Sequence, residues 1–181
     1  MSHESSAVLD FWFEELQAAD HFKKNTHVDR QIRERFLTTH AAASRGELSE
    51  WRETGEGRLA EIIVLDQFSR NLYRDDARAY ACDGMALVLA QEAVRAGANE
   101  TLPPGRCAFL YMPFMHSESL RIHDVAMELF APPGLGNNLK FERRHRLVIE
   151  RFGRYPARNA ALGRNSTAEE VTFLKDNPSG F

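Results

Sequence analysis

Apolar residues recur at helical spacing along nearly the whole chain. Near the N-terminus they follow the i, i+3, i+4 pattern and form one helical stripe: Val8, Leu9, Trp12, Phe13 and Leu16. Ser5 or Ser6 precedes this stripe and is of the residue type that caps a helix. The same pattern predicts further helices over about 28–46, 58–73, 76–96, 104–117, 119–130, 138–152 and 168–175, with a short segment around Leu48 and Trp51.

No run of four to eight residues alternates between apolar and polar positions as a half-buried strand does. The β-branched run 62–65 lies between Leu59 and Phe68 at helical spacing, which favours a helix. Glycine and proline separate the predicted helices, but no stretch is rich enough in Pro, Gly or Ser to divide the chain. The pattern therefore predicts an all-α protein, a single domain over residues 1–181 with about eight or nine helices.

The composition is that of a globular protein, since 43% of the 181 residues are hydrophobic and 27% are charged. Cys82 and Cys107 lie in apolar helical contexts, which is typical of reduced, buried thiols. The N-terminus has no basic segment followed by an apolar run, and no apolar stretch approaches the roughly 20 residues that span a bilayer. We therefore expect a soluble, cytoplasmic protein with no membrane partner.

Charge is distributed unevenly along the chain. The formal net charge is -3, which excludes a general attraction to nucleic acid. Residues 1–100 carry 12 basic and 18 acidic side chains, whereas residues 101–181 carry 11 basic and eight acidic ones. Eight of the basic residues lie between Lys140 and Arg164. Their expected partners are carboxylates of the acidic half or one small anion.

Three charged residues continue an apolar helical stripe instead of opposing it. Asp66, Arg70 and Arg74 follow one another at i+4 on the side of the helix that carries Leu59 and Ile63. A charged group on a core-facing stripe must be paired or must line a cavity, because an unpaired buried charge costs several kcal/mol. Two arrangements stay open: a buried Asp66–Arg70 pair that joins neighbouring helices, and a polar ligand-binding pocket.

A second polar cluster follows a proline near the end of a predicted helix. Pro113 has no N–H and is expected to kink or end the helix, so that His116 and Glu118 can converge there. His116 is then either a general base or a hydrogen-bonded core residue. A zinc site would recruit His116, His123 and either Glu118 or Asp124, but no HExxH or CxxC motif supports one. We therefore expect neither a metal nor a cofactor.

The third polar cluster is a loop rich in arginine. Gly153, Pro156 and Gly163 interrupt the helical pattern there, and a capping-box sequence at 166–170 begins the next helix with free N–H groups. The arginines of the loop are Arg151, Arg154, Arg158 and Arg164. Because the guanidinium fork matches carboxylate and phosphate, these residues either pair with internal carboxylates and staple the fold or line an anion-binding pocket.

These segments resemble the bacterial family called domain of unknown function 924. The resemblance covers nearly the whole length and is carried by strings in the same order: VLDFWF (8–13), GRLA (57–60), LDQFSRN (65–71), MP (112–113), HSE (116–118), RFGRYP (151–156), RN (158–159), LGR (162–164) and ST (166–167). Similarity to this family implies a fold of the tetratricopeptide-like helical superfamily, made of antiparallel helix pairs. It implies no activity, because no biochemical function is established for the family.

The resemblance also implies which polar residues form the family's signature: Asp66, Gln67, Arg70, Asn71, His116, Ser117, Glu118, Arg151, Arg154, Arg158, Asn159 and Arg164. The chain departs from the family pattern at four positions. Ala157 stands where the family often has a histidine, Met115 and Ser119 where it tends to have Glu and Asp, and His123 where it tends to have Gln. If other members transfer a proton with the loop histidine, this chain lacks that step.

The function that the sequence favours is a binding module with an internal polar pocket. In this hypothesis Arg70, Arg154 and Arg158 hold an anionic small molecule or a peptide carboxylate, while Asp66 and Asn71 orient the arginines. The other residues of the predicted ligand-binding set are Gln67, Arg151, Asn159 and Arg164. No nucleic-acid partner is expected, because the basic run has few interleaved aromatic residues.

Two alternatives stay open. In a hydrolase or transferase, His116 would act as the base, Glu118 or Asp66 would orient it, and arginines would stabilise developing negative charge. In a protein-interaction scaffold, the whole polar signature would be a structural lattice of salt bridges.

Overall fold

The computed structural model describes residues 2–178 and 180, and all regular elements within them are helical, which confirms the all-α prediction. The α-helices are α1 (His3–Asp10), α2 (Thr26–Ser44), α3 (Gly55–Ile63), α4 (Ser69–Leu72), α5 (Asp83–Arg95), α6 (Ala98–Thr101), α7 (Pro104–Met115), α8 (Leu120–Leu129), α9 (Gly136–Phe152) and α10 (Ala168–Asp176). Short 3-10 helices cover Ser49–Glu53, Ala77–Ala79 and Pro156–Arg158. None of the helices in this part of the chain is long and apolar enough to cross a membrane.

Two π-helical turns lengthen the α-helices that they follow. The turn Phe11–Glu15 continues α1, and the turn Val64–Phe68 joins α3 to α4 without a break. Residues 55–72 therefore form one rod, which we call the α3–α4 rod. The rod begins three residues before the predicted start at residue 58, because the side chain of Thr54 caps it by accepting the Gly57 N–H.

Some helix ends differ from those predicted. Ser2, and not Ser5 or Ser6, caps α1, since its hydroxyl accepts the Ser5 N–H at 3.1 Å. Helix α7 runs two residues past Pro113 and does not end there, because the His116 N–H still bonds the Met112 carbonyl at 3.0 Å.

The segment predicted as one helix over 76–96 is divided. The side chain of Asp76 caps the 3-10 helix Ala77–Ala79 by accepting the Arg78 N–H, and α5 begins only at Asp83. This early stop places Tyr80 in the short connection between the two helices and Asp83 in the first turn of α5.

The α3–α4 rod lies at the centre of the main hydrophobic core. Its α3 part packs against α1, α5 and α7, and its α4 part packs against α2. The bulkiest fully buried side chains of this core are Trp12, Phe11, Phe68 and Phe130. A smaller cluster of Val148, Ile149 and Tyr155 joins the end of α9 to the loop that follows it. Burial of the rod on several sides explains why its polar residues must find partners inside the protein.

Helices α7, α8 and α9 pack against one another in chain order and are joined by short loops, which is the arrangement of antiparallel neighbours. Cys82 and Cys107 are buried free thiols, as predicted, and burial raises the pKa of each. The relation to the tetratricopeptide-like superfamily stays a prediction.

The start of the α3–α4 rod provides a test of its packing. A Cβ atom at Gly57 would lie 1.9 Å from the backbone oxygen of Trp51, whereas a Cβ at Gly105 meets nothing within 4 Å. We therefore expect Gly57→Ala to lower the free energy of unfolding by about 3 kcal/mol. Gly105→Ala, the matched control in the first turn of α7, should raise it by up to about 1 kcal/mol. Equal unfolding midpoints in urea for the two variants would contradict this packing.

Candidate functional site

A cleft of about 330 Å³ opens beside the end of α7, and we call it the His116 cleft. Its walls come from the first turns of α5, the loop between α7 and α8, and the arginine-rich loop. Its polar lining residues are Tyr80, Asp83, His116, Ser117, Glu118 and Arg158. Of the residues predicted from the sequence, His116, Glu118 and Arg158 therefore line one cavity.

His116 forms a close polar pair with Asp66, with His116 Nδ1 2.7 Å from Asp66 Oδ1. The Asp66 side chain is only 1% exposed and that of His116 is 17% exposed. Burial opposes ionisation of Asp66, but the charges of protonated His116 and of Arg70, together with hydrogen bonds from His116 and Gln67, lower the pKa of the carboxyl well below its usual range. An ionised carboxylate only accepts hydrogen bonds, so the Nδ1 atom of His116 carries the proton.

This arrangement leaves His116 Nε2 as the acceptor of the neutral ring, and in the described residues no hydrogen bond engages it. The other oxygen of Asp66 accepts a hydrogen bond from Gln67 Nε2 at 2.5 Å. The same amide nitrogen approaches Met112 Sδ at 3.3 Å on α7. Gln67 is thus placed to hold Asp66 and α7 and does not line the cleft.

Arg70 pairs mainly with a carboxylate that the sequence analysis did not single out. Its guanidinium donates to both oxygens of Asp83 at 2.9 and 3.0 Å, and also to the backbone oxygens of Asp66 and Ala79. The expected Asp66–Arg70 ion pair is present, but it is longer, at 3.5 Å. The buried Asp66–Arg70 pair considered for this stripe is therefore present, and the ligand-binding pocket stays a prediction.

Arg158 lies beside His116 and is held from several directions. It donates to Asp83 Oδ2 at 3.1 Å and to the backbone oxygen of His116 at 2.8 Å. Its guanidinium carbon lies 4.8 Å from the centre of the Tyr80 ring and 4.5 Å from that of Tyr155. Burial lowers the pKa of Arg158, and Arg70 adds to this effect, yet an arginine stays charged in proteins. The result is a fixed positive charge at the cleft, on a side chain that is 12% exposed.

Glu118 contributes a carboxylate to the cleft but is bonded to other groups. Its oxygens accept from Arg164 at 2.7 and 3.0 Å and from the Tyr155 N–H at 2.8 Å. Burial raises the pKa of Glu118, but the hydrogen bonds from Arg164 and the Tyr155 N–H, together with the charges of Arg164 and Arg158, lower it overall. Of the two carboxylates considered for orienting His116, the one in contact with its ring is therefore Asp66.

The remaining predicted residues lie away from the cleft. Arg154 donates to both oxygens of Glu170 at 2.7 and 2.9 Å, and Arg151 bonds Glu169 near the surface. Asn159 donates to Ser166 and to Glu170. These contacts fasten the arginine-rich loop to α10. The acidic partners of Arg151 and Arg154 are therefore glutamates of α10 and not carboxylates of residues 1–100.

Asn71 lies on another face of the α3–α4 rod, where it donates to Asp29 at 2.8 Å. The zinc alternative brings no shared site, since His123 bonds buried Glu142 at 2.6 Å and Asp124 bonds Arg146. Across residues 2–178 and 180, no group of three His, Cys, Asp or Glu side chains is arranged to hold a metal ion.

Sequence reasoning missed Asp83, Tyr80 and Glu142. Asp83 stands in the first turn of a helix, where an acidic residue is common because it complements the helix dipole, so its local sequence carries no further signal. Glu142 pairs with His123 inside the protein, and both side chains are fully buried. The other ring nitrogen of His123 donates to the Ser117 carbonyl at 2.9 Å, so this pair supports the loop that carries His116.

The Arg154–Glu170 pair yields a pH prediction. The hydrogen bond from Arg154 lowers the pKa of Glu170 to about 2. The ion pair therefore stabilises the fold fully above the ordinary pKa of a glutamate, and this stabilisation is lost as the pH falls toward 2. We expect Glu170→Gln to lower the Tm at pH 7 and to flatten the fall in Tm between pH 5 and pH 2, measured by thermal unfolding. Glu169→Gln, which removes an exposed pair, is the matched control. Identical Tm profiles for the two variants would show that the buried pair does not stabilise the loop.

Comparisons with known proteins agree with the resemblance noted in the sequence. A solved structure of a protein of unknown function, ATU0120 from Agrobacterium tumefaciens, is 37% identical, with a TM-score of 0.91, and the similarity covers 96% of this chain and 97% of that one. A search of curated proteins finds no match. The family model described as bacterial protein of unknown function (DUF924) matches residues 8–178. The chain therefore belongs to the DUF924 family of bacterial proteins of unknown function.

Proposed function

We propose that the His116 cleft is a general acid–base active site of a hydrolase or transferase. The observation that carries the proposal is the 2.7 Å hydrogen bond from His116 Nδ1 to buried Asp66, at the wall of a 330 Å³ cleft. A histidine that is oriented by a carboxylate through one nitrogen and is open at the other is suited to accept a proton from a substrate or water.

Asp66 would serve the reaction without changing its own protonation. It would stay ionised when His116 is neutral, because the charge of Arg70 and the hydrogen bonds from His116 and Gln67 still favour the carboxylate. The negative charge would keep the proton of the neutral ring on Nδ1 and stabilise the imidazolium once it forms. Gln67 would hold the second carboxylate oxygen and so restrict rotation of the carboxylate.

Arg158 would stabilise negative charge on the substrate. Its contacts with Asp83 and the His116 carbonyl use one N–H on each terminal nitrogen, and the Tyr80 and Tyr155 rings restrict the guanidinium further. A donor fixed in this way needs little reorganisation when charge develops on a carbonyl or phosphoryl oxygen. The volume of the cleft suits a small molecule or the end of a peptide.

The nucleophile would be water or the hydroxyl or amine of a second substrate. Ser117 lines the cleft next to His116, but among the described residues its hydroxyl makes no hydrogen bond to the imidazole. A serine triad would need that contact.

The same geometry weakens the anion-binding hypothesis for this cleft. Arg151, Arg154 and Arg164 do not line it, and the one arginine that does, Arg158, shares it with the carboxylates of Asp83 and Glu118. A permanent anion in the cleft would be repelled by those carboxylates. A substrate that is uncharged when it binds, and develops negative charge beside Arg158 only during the reaction, would not be repelled on binding.

The test is a screen of ester, amide and phosphate-ester substrates with variants of the pair. For any substrate that the wild type turns over, we expect His116→Gln to lower kcat by about 10²–10⁴-fold, since it removes general base catalysis. Asp66→Asn should lower kcat by about 10²-fold or more, because an amide no longer fixes the ring. His27→Gln changes an exposed histidine on α2 and should leave kcat unchanged. Turnover that survives in His116→Gln would contradict the proposal.

A further inference from the structure

A second cleft, of about 270 Å³, shares the Tyr80 side chain with the first. It is lined by Lys24, Arg70, Arg74, Asp75, Ala79 and Tyr80, and we call it the basic cleft. Three of these six residues are cationic and one is acidic, so the lining differs from that of the His116 cleft. Neither the family membership nor the proposed acid–base chemistry gives this cleft a role.

Arg74 is anchored on one edge and open on the other. Its Nε and Nη2 atoms donate to the two oxygens of Asp29 at 2.6 and 2.7 Å. No hydrogen bond from its Nη1 atom occurs within the described ranges. Asp29 also accepts from Asn71, so the carboxylate that orients Arg74 is itself held in place. The open N–H groups of Arg74 are therefore positioned before any ligand arrives, which lowers the entropic cost of binding.

Lys24 adds a second source of uncommitted donors. Its Nζ atom lies 3.6 Å from Asp75 Oδ2, beyond hydrogen-bond distance, and both side chains are largely exposed, at 66% and 89%. Such an exposed pair contributes little to stability. The ammonium can therefore turn to a ligand at small cost.

Asp75 is the one acidic residue of the lining and stands in a left-handed backbone conformation, with φ of 61°. Its carboxylate would repel an anion in the cleft. The carboxylates of Asp29 and Asp83 also face the arginines, but their oxygens are occupied by the guanidinium groups of Arg74 and Arg70.

We propose that the basic cleft binds a small anionic oxygen group, a phosphate or a carboxylate, through the Lys24 ammonium and the free edge of Arg74. Arg70 adds positive charge from the wall, where Asp83 fixes its guanidinium. Neither His116 nor Asp66 lines this cleft, so the proposed contacts with the anion do not include the acid–base pair. Since the cleft is open to solvent, its affinity for anions falls as ionic strength rises.

The test is an NMR titration of the full chain with inorganic phosphate and, separately, with succinate at low ionic strength. We expect a saturable shift of the Lys24, Arg74 and Tyr80 signals with at least one probe, and the tighter probe identifies whether phosphate or carboxylate is preferred. Lys24→Gln should raise Kd about tenfold, because it removes the cation with uncommitted donors. Lys23→Gln, the neighbouring exposed lysine outside the lining, should leave Kd unchanged.

Asp75→Asn tests the proposal in the opposite direction, because it should lower the Kd for the anion and not raise it. Asparagine tolerates the left-handed conformation, so the variant removes the repelling charge without straining the turn. We expect its Kd to be several-fold lower than that of the wild type. The proposal is overturned if neither probe gives a saturable shift in wild type and Asp75→Asn, or if Lys23→Gln and Lys24→Gln weaken binding equally. His116→Gln should bind the probe like the wild type, which separates this proposal from the acid–base one.

Discussion

The buried charge of Asp66 is the constraint on which the rest of the site depends. Its carboxylate is held in the core by His116, Gln67 and, at longer range, Arg70. An ionised carboxylate without these partners would cost several kcal/mol at such a position. Meeting that requirement draws the end of α7 onto the α3–α4 rod. The same requirement turns the His116 ring so that its second nitrogen stays available.

A chain of shared partners extends from this pair to the arginine-rich loop. Arg70 and Arg158 both donate to the carboxylate of Asp83, and Arg158 also donates to the backbone carbonyl of His116. Each charged group among these residues has an opposite charge or a carbonyl beside it, so these contacts fix the positions of an imidazole and a cation at one cleft. Structural and functional accounts of the polar signature are therefore compatible for Asp66, Arg70 and Arg158.

The hydrophobic pattern of the sequence predicted the helices and the buried polar stripe. The partners of the polar residues could be identified only from the fold. The i+4 spacing of Asp66 and Arg70 on an apolar stripe showed that both must be paired or line a cavity. Asp83 could not be foreseen, because it meets Arg158 across 75 residues and its position in a helix first turn is ordinary. By contrast, the capping-box sequence predicted the contacts between Thr167 and Glu170 at the start of α10, but not the pairing of Glu170 with Arg154.

The most direct test of this account is the proton position on the His116 ring. In ¹⁵N NMR of the neutral ring in the wild-type protein, the account predicts a protonated Nδ1 and an unprotonated Nε2, because ionised Asp66 accepts the Nδ1–H. Asp66→Asn should lose this single tautomer and give a mixture. A neutral His116 that carries its proton on Nε2 in the wild type, or that keeps the same tautomer in Asp66→Asn, would contradict the account.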